Sequence, residues 1–278
     1  MPYISVSTEK NNDVKISYAD YGEGKPVILL HGWPLSHRMW EKQITALTQT
    51  GYRVIAPDRR GFGESYKPWD GYDYDTFAKD IDVLITELNL QDVALVGFSM
   101  GGGEVARYIG TYGTDKLSKV VLMSAVTPYL LKSDENPDGV DKNVFDGMLD
   151  GLMTDRPAFL HQFTKNFVNW DTDGKQILSQ EAVQHAWDIA VWASPKAAIA
   201  CVTAFSTTDF REDLSKFDVP TLIMHGDADQ IVPFEVSGKR AHEAIEGSEL
   251  VLIAGGAHGI TYTQPEKVNS ALIEFLSK

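Results

Sequence analysis

Short apolar segments alternate with longer segments of helical periodicity over most of the chain. Apolar runs of strand length lie at residues 14–21, 27–30, 53–56, 93–97, 120–124, 221–225 and 250–253. Between two of them, residues 76–90 repeat apolar side chains at intervals of three and four, with Asp75 placed to cap the helix. Residues 265–276 show the same pattern, and Pro265 suits a first helical turn. This alternation predicts an α/β fold in which helices flank both faces of a mostly parallel, twisted sheet.

The regular alternation is interrupted late in the predicted sheet. Residues 126–217 are richer in Trp, Phe and Met and carry helical patterns at 141–152, 157–167 and 181–192. We interpret them as a helical cap inserted over the strand ends, between two parts of a core domain at residues 1–125 and 218–278. The aromatic and Met side chains of such a cap belong more often to its own core than to a pocket.

Charge and composition narrow the range of partners. The chain has 39 acidic and 25 basic residues, a formal net charge of −14, which disfavours nucleic acid and anionic membrane surfaces as partners. Its lone cysteine, Cys201, lies in an apolar run and is expected to be a small buried side chain. No signal-peptide pattern opens the sequence, so we expect a soluble, cytoplasmic protein. No Cys/His spacing is typical of zinc, and residues 171–174 start like a calcium loop but lack its later ligands.

The strongest chemical motif is Gly97-Phe98-Ser99-Met100-Gly101. It directly follows a predicted buried strand and directly precedes a helical pattern, which is the context of a nucleophile elbow. Glycines two residues before and after Ser99 avoid collisions within the sharp turn. The motif therefore predicts Ser99 as a nucleophile. A phosphate-binding glycine loop is the rival interpretation, but it lacks the required Lys-Ser/Thr.

A serine nucleophile needs a base and an acid that orients the base. His258 follows the last predicted strand and precedes the last helix, so the order serine, acid, histidine is satisfied if the acid follows the preceding strand. Two carboxylates lie there, Asp227 and Asp229. The spacing to the preceding glycine and to Pro233 favours Asp229, and Asp227 stays open as the alternative.

Acyl transfer also needs backbone N–H donors for an oxyanion. One donor is expected at Met100, at the start of the helix after Ser99, and the other in the loop after an early strand. That loop reads His31-Gly32-Trp33-Pro34, which assigns the second donor to Trp33, because Pro34 has no N–H.

Several sequence blocks resemble the cofactor-free bacterial haloperoxidases and aryl esterases, also called perhydrolases. The blocks are HGWPLS, DRRGFGES, GYDYDTFAKDI, LVGFSMGGGEVARYI, CVTAFSTTDFR and HGDADQIVPFE. The resemblance implies an α/β-hydrolase fold, the triad Ser99, Asp229 and His258, and no haem, vanadium or other metal. It implies hydrolysis of small esters and, with hydrogen peroxide, formation of peracids from esters or carboxylic acids; these peracids oxidise halides. It further implies assembly as a trimer or hexamer. The positions that match the family's acyl pocket are Trp33, Phe98, Val126, Phe205, Ile231 and Phe234.

Pro34 bears on the balance between ester hydrolysis and perhydrolysis. The His-Gly-Trp-Pro form resembles the perhydrolase members, in which the carbonyl of the preceding residue accepts a hydrogen bond from peroxide; alternatively, Pro34 only stiffens the loop. Lactonases, lactamases and C–C bond hydrolases use the same triad and stay open as alternatives, as does a non-catalytic, ligand-binding member of the fold. An epoxide hydrolase or dehalogenase would carry aspartate where this chain has Ser99.

Overall fold

A computed structural model describes residues 1–170 and 177–278 of the chain. The described residues contain an eight-stranded sheet of order β1-β2-β4-β3-β5-β6-β7-β8. Its strands are β1 (Tyr3–Glu9), β2 (Asn12–Tyr21), β3 (Lys25–Leu30), β4 (Tyr52–Pro57), β5 (Val93–Phe98), β6 (Leu117–Met123), β7 (Thr221–Gly226) and β8 (Glu249–Ile253). Each of the seven predicted strands overlaps one of these. The pairs β1–β2 and β2–β4 are antiparallel, and the other neighbours are parallel.

Helices cover the sheet. In the described part of the chain they are α1 (Glu41–Gln49), α2 (Tyr74–Glu87), α3 (Met100–Tyr112), α4 (Lys142–Phe167), α5 (Gln180–Val191), α6 (Pro195–Thr207), α7 (Arg211–Leu214), α8 (Gly238–Ala244), α9 (Ile260–Thr263) and α10 (Pro265–Ser277). The central strands are apolar because they are buried on both faces: Val27, Ile28 and Leu29 of β3 have no exposed surface. The predicted mostly parallel α/β architecture is confirmed.

The predicted cap of α2 was wrong by two residues. The side chain of Asp73, which has extended backbone geometry, accepts a hydrogen bond from the backbone N–H of Thr76 and begins the helix. Asp75 lies inside the first turn, where its carboxylate pairs with Arg107 of α3. The carboxylate that the sequence pattern suggested as the cap therefore forms an ion pair with another helix instead.

The helices α4 to α7 lie between β6 and β7. Two helices predicted in this region are joined in α4, which has a kink: Asp155 is non-helical (φ −151°, ψ 84°), and its side chain accepts from the N–H of Ala158, just after Pro157. Residues 171–174, considered above as a calcium loop, lie outside the described residues. No single described helix is long and apolar enough to cross a membrane; α5 and α6 pass that test only as a pair, bent by 95°.

The parallel strands end at a common edge of the sheet. The segments that follow β3, β5, β7 and β8 carry Trp33, Ser99, Asp229 and His258, respectively. Because the carboxyl ends of parallel strands point the same way, these four residues lie at one edge, which is where α/β sheets bind ligands.

Candidate active site

Ser99 lies in a strained turn between β5 and α3. Its backbone has φ 55° and ψ −119°, a conformation that side-chain-bearing residues rarely adopt. A side chain on Gly97 would collide with the carbonyl of Gly101, and one on Gly101 would collide with the carbonyl of Leu30. The glycines therefore allow the close approach of strand, turn and helix that holds Ser99 at the edge of the sheet.

Ser99, His258 and Asp229 form one chain of hydrogen bonds. The Nε2 atom of His258 lies 2.9 Å from the Oγ of Ser99, and its Nδ1 lies 2.6 Å from Oδ2 of Asp229. All three residues are buried. Since the carboxylate accepts at Nδ1, the neutral imidazole has Nε2 free to accept the serine proton.

The other oxygen of Asp229 is held by the backbone. Its Oδ1 accepts hydrogen bonds from the N–H groups of Ile231 (2.9 Å) and Val232 (2.8 Å). Burial alone raises the pKa of Asp229, but the charge of His258 and hydrogen bonds from His225 and His258 outweigh it, so the pKa lies well below its usual range. Asp227, the other candidate acid, is exposed and accepts instead from the N–H of Gly255 at 2.7 Å.

A second histidine contacts the acid. His225 of β7 places Nε2 2.8 Å from the carbonyl oxygen of Val232 and 3.3 Å from Oδ2 of Asp229. A carbonyl only accepts, so Nε2 carries the proton. The sequence gave no sign of this contact between His225 and Asp229, because it depends on how the loop after β7 folds back.

Both predicted oxyanion donors lie near Ser99. Met100 is next to it in the sequence, and the loop that carries Trp33 is close to it in space. Met100 begins α3 directly after Ser99, and a side chain on Gly32 would collide with Phe98. Within residues 1–170 and 177–278, no acceptor binds the N–H of Met100 or Trp33. The indole N–H of Trp33 donates to the carbonyl of Ala198 at 3.0 Å, which fixes the loop against α6. The peptide bond from Trp33 to Pro34 is cis.

A cavity of about 40 Å³ opens beside Ser99. Apart from Ser99 its lining is apolar: Trp33, Val126, Leu130, Val140, Val144, Phe145, Met148, Phe163, Phe205, Ile231 and Val232. Four expected pocket residues, Trp33, Val126, Phe205 and Ile231, are in this lining. The lining residues on α4 were not predicted. Aromatic and Met residues at helical spacing give the same sequence pattern whether they line a cavity or pack against other helices.

Two expected pocket residues, Phe98 and Phe234, and one residue expected beside the substrate, Pro34, lie outside that lining. Phe98 is fully buried, with its ring 5.0 Å from the ring of His258, so it packs behind the base. The ring of Phe234 lies 5.6 Å from that of His225. Pro34 is buried in the loop after β3. Phe98 and Phe234 therefore pack around the site rather than line this cavity, and the role of Pro34 stays a prediction.

Known proteins resemble this chain over nearly its whole length. Residues 25–265 match the model of the alpha/beta hydrolase fold family. The chain belongs to the α/β-hydrolase family. It is 46% identical to the non-heme chloroperoxidase CPO-A1 of Kitasatospora aureofaciens, covering 95% of this chain and 97% of the relative. It is 41% identical to the bifunctional esterase/perhydrolase DCH of Acinetobacter calcoaceticus, covering 95% and 96%. The crystal structure of a bromoperoxidase from Bacillus anthracis matches with a TM-score of 0.96 and 52% identity, covering 100% and 99%.

The loop after β3, which carries Trp33, packs against a buried ion pair in this α/β-hydrolase. Arg59 pairs with Glu104 of α3, and both side chains are almost fully buried. The Nη2 atom of Arg59 donates to the carbonyl of His31 at 2.6 Å, and its backbone N–H donates to Nε2 of His31 at 2.9 Å. Because His31 Nε2 accepts, Nδ1 carries the proton and donates to the carbonyl of Gly32 at 2.9 Å.

The buried His31 gives the hydrolase a predicted pH dependence of stability. Burial, together with the charge of Arg59, lowers the pKa of His31 from 6.5 to about 3. Between pH about 6.5 and 3, the unfolded chain therefore binds a proton at His31 that the folded chain does not bind. The contribution of His31 to the free energy of unfolding is fully present above pH about 6.5 and is lost as the pH falls toward 3. Between pH 7 and pH 5 we expect His31 to account for a loss of about 2 kcal/mol in the free energy of unfolding.

Urea unfolding at both pH values, with the wild type and His31→Gln, measures that contribution. Glutamine retains an acceptor but does not titrate, so the variant should lose about 2 kcal/mol less than the wild type between the two pH values. Equal losses in the two proteins would show that His31 is not held neutral.

Potential metal ligands are not clustered in the described part of the hydrolase. Among residues 1–170 and 177–278, no group of three or more His, Cys, Asp or Glu side chains is arranged to hold a metal ion. The one cysteine, Cys201 of α6, is fully buried.

Proposed function

We propose that this α/β-hydrolase is a serine esterase acting on small esters, aryl or short-acyl, through an acyl-enzyme on Ser99. The observation that carries the proposal is the hydrogen-bonded chain from Ser99 through His258 to Asp229, which lies beside an apolar cavity. A serine hydroxyl is a weak nucleophile until an oriented base accepts its proton, and this arrangement provides such a base.

We propose the following acylation step. Ser99 Oγ attacks the ester carbonyl carbon while His258 Nε2 takes its proton, and Asp229 stabilises the imidazolium that forms. The N–H groups of Met100 and Trp33 donate to the oxyanion of the tetrahedral intermediate. His258 then returns the proton to the leaving alcohol, and the acyl group stays on Ser99.

Deacylation uses either water or hydrogen peroxide. His258 takes a proton from the attacking molecule, the bond from the acyl carbon to Ser99 Oγ breaks, and Ser99 recovers the proton. Water gives a carboxylic acid, and peroxide gives a peracid. The released peracid transfers one oxygen to a halide, forming hypohalous acid and the carboxylate. Relatives named as a chloroperoxidase and as an esterase/perhydrolase support this second route.

The cavity limits the acyl group. Its small volume and apolar lining suit a short, uncharged chain, because a carboxylate placed there would lose its hydration without gaining a partner. We place the carbonyl of Trp33, fixed by Pro34, where it accepts a hydrogen bond from peroxide. Assembly as a trimer or hexamer stays a prediction from the family resemblance.

The proposed function is tested with p-nitrophenyl acetate at neutral pH while hydrogen peroxide is raised through the millimolar range. We expect p-nitrophenol release at all peroxide concentrations and a growing share of peracetate over acetate, because peroxide competes with water for the acyl-enzyme. The Ser99→Ala protein provides the background for the uncatalysed reaction of peroxide with the ester. Acetate as the sole product at every peroxide concentration would contradict perhydrolysis, and no p-nitrophenol above background would contradict ester hydrolysis.

A further inference from the structure

The C-terminal end of α4 and the two residues after it contact both of the loops that carry Asp229 and His258. We call this segment, residues 167–169, the clasp. It lies between β6 and β7, whereas Asp229 follows β7 and His258 follows β8. The clasp therefore joins three parts of the chain that are distant in sequence, at the position where the triad is assembled.

Asn169 binds the acid loop. Its Nδ2 donates a hydrogen bond of 2.9 Å to the carbonyl of Ala228, the residue that precedes Asp229. The N–H of Ala228 donates in turn to the carbonyl of Gly256, in the base loop, at 3.0 Å. Both backbone groups of Ala228 are thus engaged, one by the clasp and one by the loop of His258. Asn169 is buried, and its Oδ1 has no partner among the described residues.

Phe167 binds the base loop. Its carbonyl accepts a hydrogen bond of 2.7 Å from the N–H of Gly259, the residue after His258. Its ring lies edge-on to the ring of His258, with the centroids 5.4 Å apart. A side chain on Gly259 would collide with the Phe167 ring, so the clasp and the base loop are in close contact.

We propose that Asn169 is a positioning residue that holds the acid loop, and through it Asp229, in register with His258. This inference rests on the proposed function, since it concerns the same triad. The productive geometry of such a site tolerates errors of only about 0.5 Å, and a displacement of about 1 Å can cost 100-fold in rate. A single amide that fixes the residue before Asp229 therefore affects proton transfer through the position of Asp229, without contacting His258 itself.

Asn169 also has a structural role at the end of α4, and the test distinguishes that role from the positioning of the acid loop. Its backbone φ is 49°, and asparagine is favoured in this left-handed conformation at helix ends. Glycine adopts the same conformation without strain but has no side-chain amide. Aspartate keeps the shape and the tendency toward this conformation, yet presents an acceptor to the acceptor carbonyl of Ala228.

The test compares Asn169→Gly and Asn169→Asp with the wild type. Asn166→Asp is the matched control: Asn166 is exposed, lies one turn earlier in α4, and accepts a hydrogen bond from Gln162 rather than contacting either triad loop. We expect kcat for p-nitrophenyl acetate to fall about tenfold in both Asn169 variants with KM changed less than about twofold. The rate at which a fluorophosphonate labels Ser99 should fall in parallel, and the control should match the wild type.

Wild-type kcat and labelling rate in both Asn169 variants would overturn the inference and reduce Asn169 to a helix-terminating residue. If those variants do not fold, Asn169→Ser is the second variant, since serine keeps a small polar side chain but has no amide to donate to the carbonyl of Ala228. We expect about a tenfold loss of kcat there as well, and an unchanged kcat would overturn the inference. Failure of the wild type to react with the fluorophosphonate would instead contradict the proposed function.

Discussion

Replacing Ser99 with alanine is expected to lower kcat for p-nitrophenyl acetate by about 10⁴-fold or more, because no other group in the site can form the acyl-enzyme. The fold should be retained, since the change removes one oxygen from a turn whose backbone is set by its glycines. Thermal unfolding and ester hydrolysis, measured on the same protein, check both parts.

A matched control for that variant is Ser124→Ala. Ser124 is also buried, follows the neighbouring strand β6 and has a positive φ of 43°, but its Oγ has no hydrogen-bond partner among the described residues. Its replacement should leave turnover near the wild-type value. Turnover by Ser99→Ala within tenfold of the wild type would contradict the nucleophile assignment.

Replacing Asp229 with asparagine is expected to lower kcat by about 10⁴-fold. The amide oxygen can still accept from the N–H groups of Ile231 and Val232, so the loop should keep its conformation. The asparagine amide, however, does not stabilise the imidazolium of His258. Its NH₂ group donates to Nδ1, which favours the imidazole tautomer with the proton on Nε2, so that Nε2 cannot accept the serine proton. A steady-state assay of the purified variant measures the loss.

Asp227→Asn is the control, because Asp227 was the other candidate acid and an asparagine there can still accept from Gly255. It should retain nearly all activity. The reverse result, a large loss in Asp227→Asn and little loss in Asp229→Asn, would contradict the assignment of the acid.

The strands could be predicted because a parallel sheet buried on both faces requires continuous apolar runs, and those runs stand out in the sequence. The grouping of Ser99, Asp229 and His258 could be predicted for a related reason: each follows a predicted strand, and parallel strands end at one edge. The start of α2 could not, because Asp73 and Asp75 are both acceptable caps locally, and the pairing of Asp75 with Arg107 decides between them.

The parts of the site that the sequence did not reveal depend on contacts between distant segments. His225 contacts Asp229 only because the loop after β7 folds back onto the strand. The cavity lining from α4, such as Phe145 and Met148, depends on how the helices between β6 and β7 pack against the loops at the strand ends. Asn169 carries no pattern of its own, since an asparagine near the end of a helix is common whatever it binds.

We propose Ser99 as the nucleophile of this α/β-hydrolase. The most direct measurement is the mass of the intact protein after reaction with a fluorophosphonate, followed by peptide mapping of the adduct. We expect one phosphonyl group per chain, on Ser99, and no adduct on Ser99→Ala. An unmodified wild-type protein, or an adduct on another residue that persists in Ser99→Ala, would contradict it.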